Sequence, residues 1–578
     1  MCKILLREKL EAEQTNIKKI ADALCGYFRT EGHTAQIEAL SLSCAYALYK
    51  ARQIDCSGLP DIEDVLNSIK SNGSAYSFVK PQIEDNWKCI DSHYNRFSSE
   101  SLTAFILLSS ASDKDKGGYI EATPSSITDL SLALLNIGDG ERVADLGAGV
   151  GTFLVSAYLK TDTAVYYGVE LDPSMAAIAG IRAELLGDSV TVELNDMFVF
   201  ADEKGPFDKI FSNYPFGMRL KNMRGGLAFM ERLSDTWPDI SKATSSDWVF
   251  NSLLISSLTE KGKAVGIMTN GSALNSTDQQ IREYFVRNGF IETVIALPEK
   301  MFITTAIPTT LIVFSHGNES VRMIDAHEIC QKGRRQNEFS VSDISKIASA
   351  ITKDDEISKS VDIAEIERNE FIIHPMRYLE KKASIENGRE LGDVAISITR
   401  GAQLTAGQLD EMTSMKPTNF QFLKLSNIQD GFIDEKLQYI KEIDSRYRRY
   451  RIRNGDLIIS KNGLPPKIAV ADVKPNTSVI ANSNIYLIRL DEKIINPQYL
   501  KAYFESEQGS ASLNRIAVGA TLPTIGAEQL KKLVVPVPPL AAQQEFALRY
   551  LAKAEEVKQL KRRLEIAQAT LKNMFGCM

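Results

Sequence analysis

The sequence is poor in the residues that metal, redox or membrane chemistry needs. Five histidines are scattered along 578 residues, and none pairs at metal-ligand spacing, so no metal site is expected. Seven cysteines (Cys2, Cys25, Cys44, Cys56, Cys89, Cys330 and Cys577) form no CxxC pair. Five of them fall in the first 89 residues, where the pattern is helical, and read as small buried hydrophobes in a reducing cytoplasm. The start, MCKILLREKLEAEQ, has no long apolar run, and no later stretch reaches the roughly 18 apolar residues of a membrane span. No GxxxxGK(S/T) loop occurs, which excludes a motor driven by that nucleotide-binding loop.

What is present is a large globular composition, 44% hydrophobic and 24% charged, too long for one core and expected to form three or four folded units. The net charge of −7 is unevenly spread. Residues 391–578 carry 26 Lys+Arg against 19 Asp+Glu, a net +7, which leaves −14 on the first 390. That asymmetry points the C-terminal part towards a polyanion, with chance differences between solvated surfaces as the plain alternative.

Apolar residues at 3–4 spacing in IKKIADALCGYFRTEG and AQIEALSLSCAYALYKARQ predict a helical domain over residues 1–110. From about residue 117 strands and helices alternate, through ERVADLGAGVGTFL, AVYYGVELD, SVTVELNDM, FDKIFSNYPF, GKAVGIMTNGSAL, FIETVIALPEKMF and TTLIVFS. Such alternation predicts a mostly parallel, helix-covered sheet, the Rossmann-like α/β domain of residues 111–375. The polar KDDEISKSVDIAEIERNE reads as the way out of it. Residues 385–538 follow as short strands with Gly, Pro and Asn turns, a mixed α+β domain, and residues 539–575 as one long helix. In that helix Phe546, Tyr550, Val557, Leu560, Leu564, Ala567, Leu571 and Met574 recur at coiled-coil spacing, with Lys553 the one misfit. The seam suits a partner helix; packing on its own domain is the alternative.

In ADLGAGVGTFL a strand ends at Asp145 and gives way to Gly147, Gly149 and Gly151 before a helix. Glycines let the backbone turn sharply and approach a ligand that a β-carbon would exclude. A dinucleotide fingerprint needs a glycine where Thr152 stands. The second strand ends at Glu170, placed to accept ribose hydroxyls, and the third at Asp196, placed for an adenine amino group. Loop, ribose carboxylate and third-strand acid together favour S-adenosylmethionine over a nicotinamide.

The fourth strand delivers Asn213-Tyr214-Pro215-Phe216. An exocyclic amine is a weak nucleophile because its lone pair is delocalised into the ring. The Asn213 side-chain oxygen and the main-chain carbonyl of Tyr214 can take both amino hydrogens and draw the nitrogen towards a tetrahedral form, so that positioning supplies much of the rate. Phe216 offers a face for an extruded base, worth about 1–3 kcal/mol. Tyr214 keeps the carbonyl a first proline would provide, and Pro215 keeps the preceding residue extended, so the expected effect of the tyrosine is a looser loop.

With these residues the chain resembles the methylation subunits of type I restriction-modification systems, which modify adenine in DNA. GGYIEATPSSI is similar to the family's segment before the first strand, which implies that Thr123 and Pro124 help enclose the cofactor. IREYFVRNGFIETVIALPEKMFITTAIPTTLIVF resembles its sixth and seventh strands nearly throughout. The family's glycine loop maps onto Asp145, Gly149 and Gly151, with Thr152 replacing a glycine, and its Asn-Pro-Pro-Phe onto residues 213–216. The last third is similar to the specificity subunit of the same systems, through LGDVAISITRGAQL, FLKLSNIQDGFID, IRNGDLIISKNG and VGATLPTIGAEQLKKLVVPVPPLAAQQEF. The resemblance implies a methylation subunit fused to half a specificity subunit, with one target-recognition domain, one spacer helix and double-stranded DNA as partner. A half-length specificity segment would read a two-part site as a homodimer. Any cleavage would come from a separate restriction subunit.

For DNA contact, SRYRRYRIRNGD supplies Arg446, Arg448, Arg449, Arg451 and Arg453 among Tyr447 and Tyr450. Read as extended chain, Arg449, Arg451 and Arg453 share one face; a charged edge strand that wards off aggregation is the alternative. Lys461 and Lys467 flank KNGLPPK as phosphate candidates. A non-catalytic assembly subunit, or methylation of RNA or a protein glutamine, are competing readings. The loop chemistry also suits cytosine, and only the resemblance points to adenine.

Overall fold

A computed structural model describes the chain apart from residues 1–7, 11, 34–35, 71–72, 110–122, 162, 235–242, 244, 303–307, 335, 380–384, 435, 519–522 and 574–578. It divides into two compact units, Met1–Leu379 and Glu380–Met578.

The first unit opens with helices that include α1 (Gln14–Thr30), α2 (Ile37–Ala51) and α3 (Ser99–Leu108). Ile20, Leu24 and Phe28 recur at helical spacing on α1 and are fully buried against α2 and its neighbours. Cys25, Cys44 and Cys89 are buried in this core, whereas Cys56 is exposed; it lies on the turn after α2, where no apolar face needs it. Helix α4 (Ser125–Leu135) then leads into a nine-stranded sheet.

The strands are β1 (Arg142–Leu146), β2 (Val165–Glu170), β3 (Val190–Leu194), β4 (Phe207–Ser212), β5 (Leu258–Thr269), β6 (Ile291–Ala296), β7 (Thr309–Phe314), β8 (Ser320–Asp325) and β9 (Ser358–Asp362). Their order is β3-β2-β1-β4-β5-β7-β6-β8-β9. Helices α5 (Thr152–Lys160), α6 (Pro173–Leu186), α7 (Met197–Lys204), α8 (Arg224–Leu233) and α9 (Ser246–Ser256) belong to the same unit. Central strands such as VADL and VGIM are apolar at nearly every position because both faces of the sheet are covered. On β4, Phe207 and Ile210 enter one core and Phe211 the other.

The sheet is mostly parallel, as expected, with β7 antiparallel to both β5 and β6, and β9 antiparallel to β8. One expectation needs correction. The polar stretch after residue 353 is no exit segment, because Ser358–Asp362 pairs as β9 and Ile363–Arg368 continues as a helix. An edge strand needs only one buried face, so its alternating polar pattern hides a strand.

Arg182 of α6 lies almost fully buried and donates to three carbonyls, Nε to Ile106 (2.9 Å), Nη1 to Val150 (2.9 Å) and Nη2 to Ser109 (2.7 Å). Ile106 and Ser109 are at the C-terminal end of α3, whose helix dipole favours a cation. Val150 belongs to the loop after β1.

The second unit holds a four-stranded antiparallel sheet, β10 (Ala395–Arg400), β11 (Leu457–Ser460), β12 (Ile468–Val470) and β13 (Ile485–Leu490), in the order β10-β13-β11-β12. A smaller sheet joins Gln438–Tyr439, Phe420–Leu423 and Ser478–Ala481. Helix α10 (Pro497–Glu505) packs beside the first turns of the long α11 (Leu540–Asn573). There Gln543, fully buried, donates to Ile494 O (3.0 Å) and Pro538 O (2.7 Å) and accepts from Asn496 N (2.8 Å). The first two residues of the heptad seam therefore meet their own domain, Phe546 edge-on to Tyr499 and Tyr550 against Lys501. Val557, Leu560 and Leu564 are exposed by half or more. Ala567 is exposed too, while the Leu571 side chain and Met574 fall outside the described residues.

Candidate functional site

The turn after β1 is shaped by its glycines. Gly147, Gly149 and Gly151 all take positive φ (90°, 55° and 79°), a region that L side chains rarely adopt. A β-carbon on Gly151 would press on Ala179 of α6 at 3.3 Å, and one on Gly147 would meet the end of Met197 at 3.1 Å. At the strand's end Asp145 is buried, and its Oδ1 has no hydrogen-bond partner among the described residues. Burial, and then the charge of Glu170, holds the Asp145 carboxyl well above the ordinary carboxylate range.

Glu170 ends β2 and faces the same turn. Its Oε2 accepts from Gly149 N (2.8 Å), and its Oε1 from Leu171 N and Asp172 N (both 2.8 Å). Oε2, with one donor, keeps acceptor capacity beyond that bond, whereas Oε1 already holds two. Leu171, two-thirds exposed, stands directly beside it and went unnoticed in the sequence. Asp196 lies two residues beyond β3 and caps α7, accepting from Phe198 N at 2.9 Å. Its other oxygen lies against Gly225 of α8, where a β-carbon would fall 2.2 Å away. Gly225 was also missed, since nothing in MRGGLAF says which carboxylate the glycine must clear.

The Asn213 loop follows β4, which pairs with β1 so that Phe211 lies opposite Asp145. Asn213 Nδ2 donates to Thr123 Oγ1 at 3.1 Å, while Asn213 Oδ1 is buried with no partner among the described residues. Thr123 and Pro124 immediately precede α4, and residues 117–122 of the same segment lie outside the described residues. Pro215 is exposed and Phe216 half-buried, its ring edge-on to Phe302 at 5.3 Å. Phe302 lies far along the chain, so only the fold reveals the pair.

Tyr214 turns away from the loop into the core. Its ring stacks on Phe250 (4.7 Å, 19°), and its hydroxyl donates to Asn251 Oδ1 at 2.7 Å. Burial pushes its phenol well above the usual range, so it stays a neutral donor. The ring thus pins the loop, and the expectation of a looser loop gives way to one anchored from beneath.

In the second unit the arginine run is not extended throughout. Ser445–Tyr450 forms a 3-10 helix capped by Asp444, which accepts from Arg446 N at 3.0 Å, and Tyr447 is buried beside Phe422 and Ile480. Arg449 therefore leaves the face that Arg451 and Arg453 were expected to share with it. All five arginines (446, 448, 449, 451 and 453) remain exposed. Arg446 and Arg449 lie over the rings of Tyr447 and Tyr450 at 4.8 and 4.7 Å. Lys461, partly buried, follows β11, and Lys467 Nζ donates to Leu425 O at 3.2 Å. Among the described residues no cluster of His, Cys, Asp and Glu could hold a metal ion, and no helix is long and apolar enough to cross a membrane.

A glycine turn after the first strand, acids at the ends of the next two, an Asn-x-Pro-Phe loop after the fourth and a reversed seventh strand between the fifth and sixth define a class I methyltransferase fold. The methyltransferase subunit of a type I restriction-modification system from Streptococcus thermophilus shares that fold, with a TM-score of 0.50 at 17% identity, over 64% of this chain and 100% of that one.

Residues 104–387 match the N-6 DNA methylase family, and residues 387–568 match the type I restriction modification DNA specificity domain. The chain therefore joins a domain of the N-6 DNA methylase family to a type I restriction modification DNA specificity domain. It is 24% identical over 353 residues to the type I restriction enzyme MpnII methylase subunit of Mycoplasma pneumoniae, covering 54% of this chain and 64% of that protein. It is 26% identical to the MjaVII methylase subunit of Methanocaldococcus jannaschii, over 50% of this chain and 54% of that protein. It is 27% identical over 131 residues to the EcoBI specificity subunit of Escherichia coli, over 22% of this chain and 27% of that protein. The chain thus spans between half and two thirds of the methylase relatives it matches.

Proposed function

We propose that the protein transfers the methyl group of S-adenosylmethionine to the exocyclic amino group of adenine in double-stranded DNA, at a sequence chosen by its own specificity domain. The observation that carries this reading is the Asn213 amide: its nitrogen is engaged by Thr123, and its buried oxygen has no partner among the described residues. An amide held by its nitrogen presents its oxygen as an acceptor, and a buried acceptor costs about 1–3 kcal/mol until a donor arrives. The adenine amino group is such a donor. The main-chain carbonyl of Tyr214 takes the second amino hydrogen, and Phe216, backed by Phe302, gives the extruded base a face.

The cofactor site fits its proposed ligand. Asp145 has an unpartnered buried oxygen, and glycines at 147, 149 and 151 let the turn take the positive φ that L side chains rarely adopt. Glu170 is assigned to the ribose hydroxyls, Asp196 to the adenine ring amine, and Thr123 with Pro124 to the wall nearest Asn213. The bound cofactor supplies a sulfonium methyl, a strong electrophile, so the protein's part is to hold the amine in line and keep its hydrogens engaged. The N-6 DNA methylase match supports adenine over cytosine.

On this reading Arg446, Arg448, Arg449, Arg451, Arg453 and Lys461 meet DNA, the exposed half of α11 pairs with a second copy as a coiled coil, and cleavage belongs to a separate restriction subunit. Expression in a methylation-free host, followed by long-read mapping of modified adenines, tests it. A motif is expected with the wild type and none with Asn213→Ala. A wild type that binds S-adenosylmethionine and DNA yet modifies nothing would leave an assembly subunit instead.

A further inference from the structure

Two cations of the specificity domain are held together without a counter-charge. Arg400 ends β10 and Lys461 follows β11, on either side of the central strand β13, where Arg400 pairs with Tyr486 and Lys461 N donates to Asn484 O at 2.8 Å. Two strands apart and staggered by two residues, their α-carbons are separated by roughly 12 Å, a span the two long side chains together can bridge. Arg400 Nε donates to Ser483 O at 2.6 Å, which fixes its guanidinium over the turn between them. Among the described residues neither cation has a carboxylate within 4.0 Å, although ion pairs engage Arg446 and Arg489 in the same unit. Burial and the Arg400 charge both pull the Lys461 ammonium below its usual range.

The turn beneath them is built to stay still. Asn484 N donates to Asn482 Oδ1 at 2.8 Å, Thr524 Oγ1 donates to Asn462 Oδ1 at 3.1 Å, and Lys461 O accepts from Ile525 N at 2.8 Å. Gly401 runs so close over it that a β-carbon would fall 2.2 Å from Asn482 O. Like charges brought together on a rigid turn raise each other's energy, and an anion between them removes that cost.

We infer that Arg400 and Lys461 form a phosphate clamp on the DNA backbone, separate in role from the arginine run at 446–453: it sets how tightly duplex is held and carries no sequence information. This rests on the proposed DNA-binding function. A phosphate contact differs from a base contact in that its loss weakens all sequences alike and lowers the salt dependence by about 0.9 per counterion released.

The test uses the full-length protein, with fluorescence anisotropy on a duplex carrying the mapped methylation motif and on a scrambled duplex, across a salt series. For Arg400→Gln and Lys461→Gln, affinity is expected to fall by the same factor on both duplexes, and the log–log salt slope to drop by about 0.9 for each. Lys461→Arg, which keeps the charge, is expected to retain the wild-type slope. An unchanged slope in both neutral variants, or an altered preference for the motif, overturns the clamp. Amine-reactive footprinting of the unaltered protein gives a readout free of folding effects: Lys461 is expected to be protected by either duplex, and equal labelling with and without DNA overturns the proposal. Wild-type protein that binds neither duplex sinks the DNA-binding reading itself.

Discussion

Tyr214 shows how a residue that breaks a motif can still serve it. A proline at this position would stiffen the loop through its own ring; the tyrosine holds it through a hydrogen bond to Asn251 and a stack on Phe250. Tyr214→Phe is expected to lower unfolding free energy by about 1–2 kcal/mol in urea titrations, because Asn251 loses its donor, with the methylated motif unchanged. Tyr214→Pro removes the ring and is expected to cost about 3–5 kcal/mol, the price of an emptied aromatic site. A second test concerns Asp145, whose buried carboxyl titrates above its unfolded value. Such a group binds its proton more tightly in the folded state, so it lowers stability once the pH rises past the unfolded pKa. Asp145→Asn is therefore expected to raise the melting temperature of the ligand-free protein at pH 7.5, with the gain shrinking towards pH 4. The same change is expected to abolish the further rise on adding S-adenosylhomocysteine. Asp145, Glu170 and Asn213 were legible in the sequence because each ends a strand. The partners of Tyr214, Asp196 and Phe216 were not, because Asn251, Gly225 and Phe302 come from other elements.

Among elements, the end of β5 is tied to the residues after β9. Asn270 accepts from Thr310 Oγ1 (2.7 Å), and its Nδ2 meets His374 Nε2 at 3.1 Å, so His374 is the acceptor and the imidazole neutral. Burial, joined by Arg377 and His327 and opposed by Asp325, pushes His374 down to about 4. A histidine depressed below its unfolded pKa gives stability that is complete above about 6.5 and is lost as pH falls towards 4. Between pH 7.5 and 5 this amounts to about 2 kcal/mol, and His374→Gln is expected to flatten the pH dependence of denaturant unfolding by that much. Gly225→Ala tests the approach of α8 to Asp196: weaker binding of S-adenosylhomocysteine is expected by calorimetry, since the new methyl displaces a proposed adenine acceptor. The contrast between β1 and β9 explains what sequence reading reaches at this scale. A strand buried on both faces is continuously apolar, whereas Ser358–Asp362 at the sheet edge looks like linker.

For the whole molecule, the acidic first part and the basic last part follow the two family matches, N-6 DNA methylase over residues 104–387 and type I specificity domain over 387–568. Charged residues at Leu560 and Leu564, on the open half of α11, are expected to convert a dimer to monomers in sedimentation; an unchanged mass removes the coiled-coil pairing. Arg182 bears on a different question, that of where this polypeptide can be cut. Its guanidinium is held by carbonyls at the end of α3 and by that of Val150 in the glycine turn. A catalytic fragment that starts after residue 109 would strand that charge in an apolar interior. Trimming the N-terminal helices to obtain a minimal fragment is therefore incompatible with the architecture of the first unit, because two of the three carbonyls that hold this arginine leave with them.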